Sequence, residues 1–506
     1  MPQRRDPRAI AGWLRERVTG SLQCDSRKLR AGDGFVAWPG AATDGRRYVA
    51  AALQAGASAV LVEAEGVESF GFSDDRIRAV PGLKALAGPI ASAYHGDPSA
   101  ALDMVAITGT NGKTSSAWWA AQLLSGLGRP CALIGTLGIG RAPTAGTDGM
   151  HLVSTGLTTP DPVLLQSRLR DMVDEGVVAC AIEASSIGLV EGRLNACHIR
   201  VAVFTNFSQD HLDFHGSMTD YWEAKAALFH WPGLESAVVN VDDPQGMALD
   251  QALAGRPQLG RWSVGIDRPA RLMARDIAFT DHGMRFEVVE HDARGAVCDR
   301  GVLTLGLIGR YNVSNLLGVI GVARALGVAL SDALAACSAL TPVPGRMEQA
   351  AAAAGQPLVL VDYAHTPDAL EKALRALQPL AQQRGGQLWV LAGCGGDRDP
   401  GKRPLMGSVV EREAQRVVLT SDNPRSEDPM AILEQMRAGL QRPERVGVQV
   451  ERARAIADAV AQAAPADVIL IAGKGHEDYQ EVKGVRHPFS DLAHARAALA
   501  RRGASA

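Results

Sequence analysis

Met104-Val-Ala-Ile-Thr-Gly-Thr-Asn-Gly-Lys-Thr-Ser-Ser-Ala-Trp-Trp-Ala-Ala-Gln-Leu-Leu124 decides the fold. Its first four residues are an apolar run of the length of a buried strand, and Ser115 to Leu124 read as a helix. Between them, Gly109 and Gly112 permit a tight turn whose successive backbone N–H groups point inward, at phosphate oxygens. The helix N-terminus adds a partial positive charge, Lys113 adds a full one, and the Thr114 hydroxyl can reach a bound Mg2+. The spacing departs from the common G-x-x-x-x-G-K-S/T loop, because Ile107 stands at its first glycine. The strand–turn–helix context still predicts a site for a nucleoside triphosphate.

Length and composition narrow the class. A chain of 506 residues is too long for one core, and length predicts about three domains. A net charge of −3 leaves no basic excess to neutralise a nucleic-acid backbone, so no polynucleotide partner is expected. No apolar run approaches the length of a membrane span. The basic N-terminus, Met1-Pro-Gln-Arg-Arg-Asp-Pro-Arg8, lacks the apolar segment of a secretory signal. Cysteines 24, 131, 180, 197, 298, 337 and 394 contain no C-x-x-C pair, which suits reduced thiols in a cytoplasm.

Beyond the opening stretch, short apolar runs alternate with helical ones. Ala57 to Val62 is such a run in the first hundred residues. Val177 to Ile182, Val201 to Phe204 and Ser236 to Asn240 continue the rhythm in the middle block, as in a parallel sheet covered by helices. A polar stretch from about 265 to 300 reads as a hairpin insertion, followed by a helix over Asn312 to Arg324. Thr341-Pro-Val-Pro-Gly-Arg346 is a stiff joint. After it, Leu358 to Asp362, Leu388 to Ala392, Arg416 to Thr420 and Val468 to Ala472 predict a second doubly wound α/β unit.

Polar clusters follow several of these strands, where a doubly wound sheet displays its chemistry. Glu183 ends one strand, as a Mg2+ ligand or as the cap of the next helix. Asp210-His211-Leu-Asp213-Phe-His215 is dense enough in acids and histidines for metal or phosphate contact, or is a solvated loop. Lys225 follows Ser217 and Asp220, which resemble a capping box; a lone lysine there is ordinarily a surface residue. Thr158-Thr-Pro160 reads as a helix entry. Asp362-Tyr-Ala-His365-Thr-Pro-Asp368 suits a ribose or phosphate. Asp397-Arg398 and Asp422-Asn-Pro-Arg425 place two guanidinium groups at adjoining strand ends, a grip for a carboxylate or a pair of structural ion pairs.

In this order the motifs resemble the Mur ligases. Thr108 to Thr114, Thr158-Thr-Pro160, Glu183-Ala-Ser-Ser186, Thr205-Asn206 through His211, Lys225, Gly309-Arg-Tyr-Asn312, Gly345-Arg346 and Asp362-Tyr-Ala-His365 carry the resemblance over most of the chain. Asp25-Ser-Arg27 and Asp44-Gly-Arg-Arg-Tyr48 look like the UDP-binding domain of the third-step enzymes. Asp397-Arg398, Asp422 to Arg425 and Gly473-Lys-Gly-His-Glu-Asp-Tyr479 are similar to the members that add meso-2,6-diaminopimelate. The resemblance implies an α/β protein of three domains: a UDP-substrate domain over 1–98, a central phosphate-loop parallel-sheet ATPase domain over 99–341, and a Rossmann-like amino-acid domain over 342–506.

The activity implied is an ATP-dependent amide ligase of peptidoglycan precursor synthesis. It would phosphorylate the carboxylate of UDP-N-acetylmuramoyl-L-alanyl-D-glutamate and couple the resulting acyl phosphate to diaminopimelate, as a cytoplasmic monomer. An L-lysine-adding ligase or a folylpolyglutamate-type ligase is the alternative. The resemblance further implies that Lys113, Glu183, His211 and Lys225 are catalytic, and that Gly109, Thr110, Asn111, Gly112, Lys113, Thr114, Ser115, Asn312, Arg346 and Asp362 bind ATP. Thr114, Glu183, His211 and Lys225, the last as a CO2-derived carbamate, would hold Mg2+. Cys24, Ser26, Ala41, Ala42, Thr43, Leu157, Thr158, Thr159, Ser185, Glu191 and Arg193 would hold the UDP-linked dipeptide. Arg398, Asp422, Asn423, Pro424, Arg425, Gly473 and Glu477 would hold diaminopimelate. Three positions depart from the family pattern: Ile187 and Glu191 replace an aromatic or His and a Gln, and Gln209 replaces a charged residue.

Overall fold

In the computed structural model, which describes residues 5–40, 43–143, 151–280, 283–350 and 355–504, the apolar runs become the strands of three sheets. β1 (Leu22–Gln23), β2 (Gly34–Ala37), β3 (Ala59–Glu63) and β4 (Ile77–Val80) pair in that order, all parallel. Val60, Leu61 and Val62 are fully buried because helices cover both faces, so the strand carries no polar alternation.

The second sheet holds β5 (Asp103–Thr108), β6 (Cys131–Gly135), β7 (Gly138–Arg141), β8 (His151–Val153), β9 (Ala179–Glu183) and β10 (Ile199–Phe204). It continues with β11 (Ser236–Asn240), β12 (Gly260–Gly265), β13 (Leu272–Thr280), β14 (Gly283–His291) and β15 (Val297–Leu305). Their spatial order is β15-β14-β13-β12-β11-β10-β5-β9-β6-β7-β8. The run from β13 to β6 is parallel, whereas β14 and β15 at one edge and β7 and β8 at the other pair antiparallel. The parallel core thus carries antiparallel edges, and the stretch from 265 to 300 holds the expected hairpin, β13 with β14, which with β15 extends the central sheet. Their physics differs from the parallel core: Met284, Phe286 and Val288 face inward while Arg285 and Glu287 face outward, as a sheet packed on one face requires.

The third sheet comprises β16 (Glu348–Ala350), β17 (Leu358–Asp362), β18 (Leu388–Ala392), β19 (Arg416–Leu419), β20 (Gly447–Val448) and β21 (Val468–Ala472), ordered β16-β17-β21-β18-β19-β20. All its pairs are parallel except β16 with β17.

The helix after the phosphate loop, Lys113–Gly126, is buried from Thr114 to Leu124 on every side. It lies between the central sheet and the helix Arg310–Ala325, which explains why Ala117-Trp-Trp-Ala-Ala121 shows no polar stripe. Trp119 Nε1 donates to Thr341 O at 3.0 Å, and Gln122 Nε2 donates to the Thr341 hydroxyl at 2.7 Å. The proline joint is thereby pinned to the central unit. At its far end Gly345 has φ +65°, and a Cβ there would lie 2.0 Å from His476 N, so glycine is required. Lys84 pairs with Glu191 at 2.8 Å and seats the N-terminal unit on the central one.

Two local readings are refined. The helix entered near Thr158 begins at Pro162, capped by Asp161, so Thr158-Thr-Pro160 lies just before the cap and the first-turn proline is Pro162. Ser217 does cap the helix Met218–Ala226 through the Asp220 amide. Its hydroxyl, however, returns to the Asp220 carboxylate at 2.6 Å in place of the reciprocal backbone bond.

Candidate active site

The phosphate loop leaves β5 between β9 and β10, at the carboxyl ends of all three strands. Asn206, two residues past β10, fixes its shape. The Asn206 Oδ1 accepts from Asn111 N at 3.0 Å, and its Nδ2 donates to Asn111 O at 3.0 Å. Gly109 has φ +144°, and a Cβ there would stand 1.9 Å from Thr205 Oγ1. At Gly112 a Cβ would meet Asn315 Oδ1 at 2.4 Å. The loop is therefore built from glycines where neighbouring side chains press against its backbone.

Thr114 and Glu183 meet as the sequence implied. Thr114 Oγ1 donates to Glu183 Oε2 at 3.0 Å, and Thr136 N donates to Glu183 Oε1 at 2.7 Å. Glu183 is not a helix cap, since Ser185 caps the next helix. A 3.0 Å separation matches two adjacent oxygens around an octahedral Mg2+ whose bonds are about 2.1 Å long. Among the described residues no three His, Cys, Asp or Glu side chains converge into a metal cage. Mg2+ ordinarily takes one or two protein oxygens and fills its remaining positions with phosphates and water, so the donor set fits that ion.

Lys225 is 1% exposed and is not the surface lysine its sequence context suggests. Its Nζ donates to Gly109 O at 2.8 Å and lies 4.3 Å from the Tyr221 ring centre. Burial, and then the nearby Lys113 charge, hold its ammonium pKa well below the ordinary lysine value. Lys113 Nζ curls onto Gly109 O at 2.9 Å and Thr110 O at 2.8 Å, and burial lowers its pKa as well. His211 adopts φ +53°, and burial lowers its pKa, which favours the neutral imidazole. Next to it, burial pushes Asp210 up, but His211, His365 and Lys402 outweigh this and bring it down to about 2.

The C-terminal unit closes the other side. Arg346 Nη2 donates to Thr114 Oγ1 at 3.1 Å, and its guanidinium carbon stands 4.3 Å from the Tyr363 ring centre. Arg346 Nη1 is buried without a hydrogen-bond partner among the described residues, an unspent donor beside the phosphate loop. Asp362 accepts from Met347 N at 2.7 Å. Asp368 Oδ2 accepts from Asn111 Nδ2 at 3.0 Å and from Ser208 Oγ at 3.3 Å, joining the two units across the cleft.

These groups surround a cleft of about 820 Å3 that takes in Thr110 to Ser115, Thr158, Glu183, Ser185, His211, Lys225, Arg346 and Asp362. Asn312 lies outside its lining. Its amide donates to Ile308 O at 2.7 Å and accepts from Asn315 Nδ2 at 3.2 Å, and Asn315 is the residue that faces the cleft. Asn315 and Thr136 were absent from the sequence-based set. The three-residue helical spacing from Asn312 pointed to the first; nothing in the pattern pointed to the second.

Three residues assigned to the dipeptide are bonded to other groups of the chain, and a fourth is exposed. The Thr159 hydroxyl is fully buried, bonded to Glu183 O at 2.8 Å and Ser185 Oγ at 2.9 Å. Arg193 Nη1 donates to Thr159 O at 2.9 Å, Glu191 pairs with Lys84, and Leu157 is exposed. Cys24 follows β1 of the N-terminal sheet, Ser26 opens a short turn capped by Asp25, and Thr43 O accepts from Gly40 N at 2.9 Å. Ala41 and Ala42 lie outside the described residues.

A second cavity of about 150 Å3 adjoins the cleft and is lined by Arg398, Asp422, Asn423, Arg425, Gly473 and Glu477. Pro424 is not part of its lining. Arg425 has φ +50°, and its Nη1 donates to Gly396 O at 2.6 Å. Among the described residues no carboxylate lies within ion-pairing distance of it. Behind the pocket, Arg452 and Asp491 form a fully buried pair at 2.7 Å. Arg452 also donates to Ser421 O and Ala472 O, tying together the ends of β19 and β21.

Fold and cleft together define a phosphate-loop nucleotide-using protein whose site is completed by a second α/β unit. Three family models match along the chain: the Mur ligase family catalytic domain over 20–93, the Mur ligase middle domain over 107–323, and the Mur ligase glutamate ligase domain over 345–475. A UDP-N-acetylmuramoyl-L-alanyl-D-glutamate--2,6-diaminopimelate ligase of Acidovorax sp. (strain JS42) is 58% identical, covering 97% of this chain and 96% of its own. The protein of the same name from Janthinobacterium sp. (strain Marseille) is 48% identical over 98% of this chain and 97% of its own. A solved structure of a ligase of that name aligns with a TM-score of 0.63 at 35% identity, over 96% of this chain and 95% of that one. The chain belongs to the Mur ligase family.

Proposed function

We propose that this chain joins meso-2,6-diaminopimelate to UDP-N-acetylmuramoyl-L-alanyl-D-glutamate, driven by conversion of ATP to ADP and phosphate. The observation that carries this reading is a shared wall. Asp210, His211, Tyr363 and His365 line both the large cleft and the small cavity, so a phosphate-bearing substrate in one meets an amine in the other.

A carboxylate is a poor electrophile, and forming an amide from it in water is uphill. Transfer of the γ-phosphoryl group to the glutamate carboxylate makes an acyl phosphate and releases ADP. Attack by the amine then forms the C–N bond, expels phosphate and frees one proton. Lys113, the 109–114 amides and the unspent Arg346 donor bind and orient the triphosphate, and they stabilise the charge that develops in transfer. Thr114 and Glu183 would hold Mg2+, which neutralises phosphate oxygens. A carbamate on Lys225 would supply oxygen donors beside His211 for a second ion, and burial, by lowering the pKa of the amine, favours the free base that reacts with CO2. Thr158 and Ser185 border the cleft where the dipeptide would lie; Arg425 and Arg398 face the pocket that would take the far carboxylate of diaminopimelate.

We divide the chain at 98/99 and 341/342 into UDP-substrate, ATP and amino-acid domains. One chain supplies every group named, so a monomer suffices. Its nucleotide substrates place it in the cytoplasm; no helix among the described residues is long and apolar enough to cross a membrane. The decisive assay is phosphate release from ATP with each substrate omitted in turn. Release should require both the UDP-linked dipeptide and diaminopimelate; steady ATP hydrolysis without them would overturn the reading.

A further inference from the structure

Lys474 is a fully buried ammonium group with no part in the chemistry above. It follows Gly473 after β21, and its Nζ donates to Asn423 Oδ1 at 3.0 Å and to Glu477 Oε2 at 2.8 Å. Glu481 N donates to the same Asn423 Oδ1 at 2.9 Å. Two donors on Oδ1 fix the orientation of the Asn423 amide, because its other end cannot accept. Asn423 Nδ2 accordingly donates to Glu477 Oε2 at 2.7 Å. One oxygen of Glu477 is thus held twice, while Oε1 accepts no hydrogen bond from the described residues and the residue lines the smaller cavity.

We propose that Lys474 is a positioning residue of the amino-acid pocket: it locks Asn423 and Glu477 so that one carboxylate oxygen alone meets the ammonium of the incoming amino acid. This rests on reading the smaller cavity as that pocket. A buried cation needs a paired anion, and a carboxylate already anchored on its inner oxygen loses little freedom when the ligand arrives. The inner charge pair and the outer ligand contact then share one carboxylate.

Steady-state kinetics of the full chain test this, using Lys474→Met, Glu477→Gln and the double variant with ATP, UDP-linked dipeptide and meso-diaminopimelate. Lys474→Met should raise the KM for diaminopimelate about ten- to a hundredfold while the other two KM values stay within about twofold. In the Glu477→Gln background it should add little, because it acts through Glu477. Additive losses, an equal rise in all three KM values, or an unchanged diaminopimelate KM would overturn the inference. If Glu477→Gln itself leaves that KM unmoved, the pocket assignment fails instead. A wild-type crystal structure with diaminopimelate bound decides the matter even if Lys474→Met does not fold. An ammonium nitrogen on the free Glu477 oxygen supports the proposal, and one on the oxygen held by Asn423 and Lys474 overturns it.

Discussion

Lys113 Nζ and Lys225 Nζ donate to the same oxygen, the carbonyl of Gly109, at 2.9 and 2.8 Å. Two ammonium groups on one buried acceptor repel, and burial already disfavours both charges. A triphosphate resolves the conflict for Lys113, whose side chain needs only to swing from the loop carbonyls to phosphate oxygens. Lys113→Ala should therefore abolish acyl-phosphate formation, with turnover falling about a hundredfold or more. Folding should survive, since the amine contacts loop carbonyls and no core side chain. Phosphate-release assays together with a melting curve check this; near-normal turnover in a folded variant would dissociate the loop from catalysis.

For Lys225 the conflict is resolved by chemistry. A lysine with a depressed pKa holds more free base at neutral pH, and the free base is the form that captures CO2. Lys225→Ala should lose about a hundredfold or more in rate, with partial recovery on adding short carboxylates that occupy the vacated space. Wild-type enzyme in CO2-depleted buffer should lose activity and regain it with bicarbonate. Full activity in a protein whose Lys225 is unmodified by high-resolution diffraction would refute the carbamate.

The strands Ser236–Asn240, Leu358–Asp362, Leu388–Ala392 and Val468–Ala472 were legible end for end, because each centres on a short apolar run bounded by polar or turn residues. Their order was not. A strand buried on both faces has no polar side to set register, and nothing in the sequence places β9 between β5 and β6. The segment from 265 to 300 was legible as a hairpin because its strands are packed on one face and read as polar, but nothing in it showed that they continue the central sheet. In the site, the loop and the Thr114–Glu183 pair followed from motif and strand end. Asn312 was credited with a ligand contact, whereas its amide is bound to Ile308 O and supports Asn315. Lys225 looked like a surface lysine, since the Gly109 carbonyl that receives it arrives from a distant part of the chain, although the Tyr221 ring beside it lies one turn back on the same helix.

Stability should fall as pH drops from about 6.5 toward 4. Burial lowers His95 and His365 to about 4 and His476 to about 3. In that window the unfolded chain binds more protons than the folded one, so stability rises with pH and is lost on acidification. The lowered Asp74 and Asp210, both about 2, lose their contribution only at lower pH. Burial raises Asp362, which acts in the opposite direction and softens the slope. His95 lies outside the cleft, and its Nε2 is buried without a hydrogen-bond partner among the described residues. Melting temperatures at pH 7.5, 6 and 5 should decline, and His95→Gln should flatten the decline; a flat wild-type profile would contradict the burial argument.

Selectivity among amino acids should reside in Arg425. Meso-diaminopimelate differs from L-lysine by one carboxylate on the far carbon, and a guanidinium offers that group two parallel hydrogen bonds. The positive φ of Arg425 is held by a bridge to the strand Tyr479–Val482 of a small two-stranded sheet: its amide donates to Glu481 O at 3.0 Å and its carbonyl accepts from Lys483 N at 2.5 Å. Its Nη1 rests on Gly396 O, and no described carboxylate stands within ion-pairing distance of it, so the charge is free to take a carboxylate at the pocket wall. Lysine would leave that charge partly desolvated and unanswered, a loss of about 2–5 kcal/mol, or roughly thirty- to several-thousand-fold in selectivity. Wild-type enzyme should therefore release phosphate with meso-diaminopimelate and barely with lysine. Arg425→Ala should raise the diaminopimelate KM and narrow the ratio between the two amino acids, leaving the KM values for ATP and the UDP-linked dipeptide near normal. Comparable wild-type rates with lysine would show that the pocket reads something other than the far carboxylate.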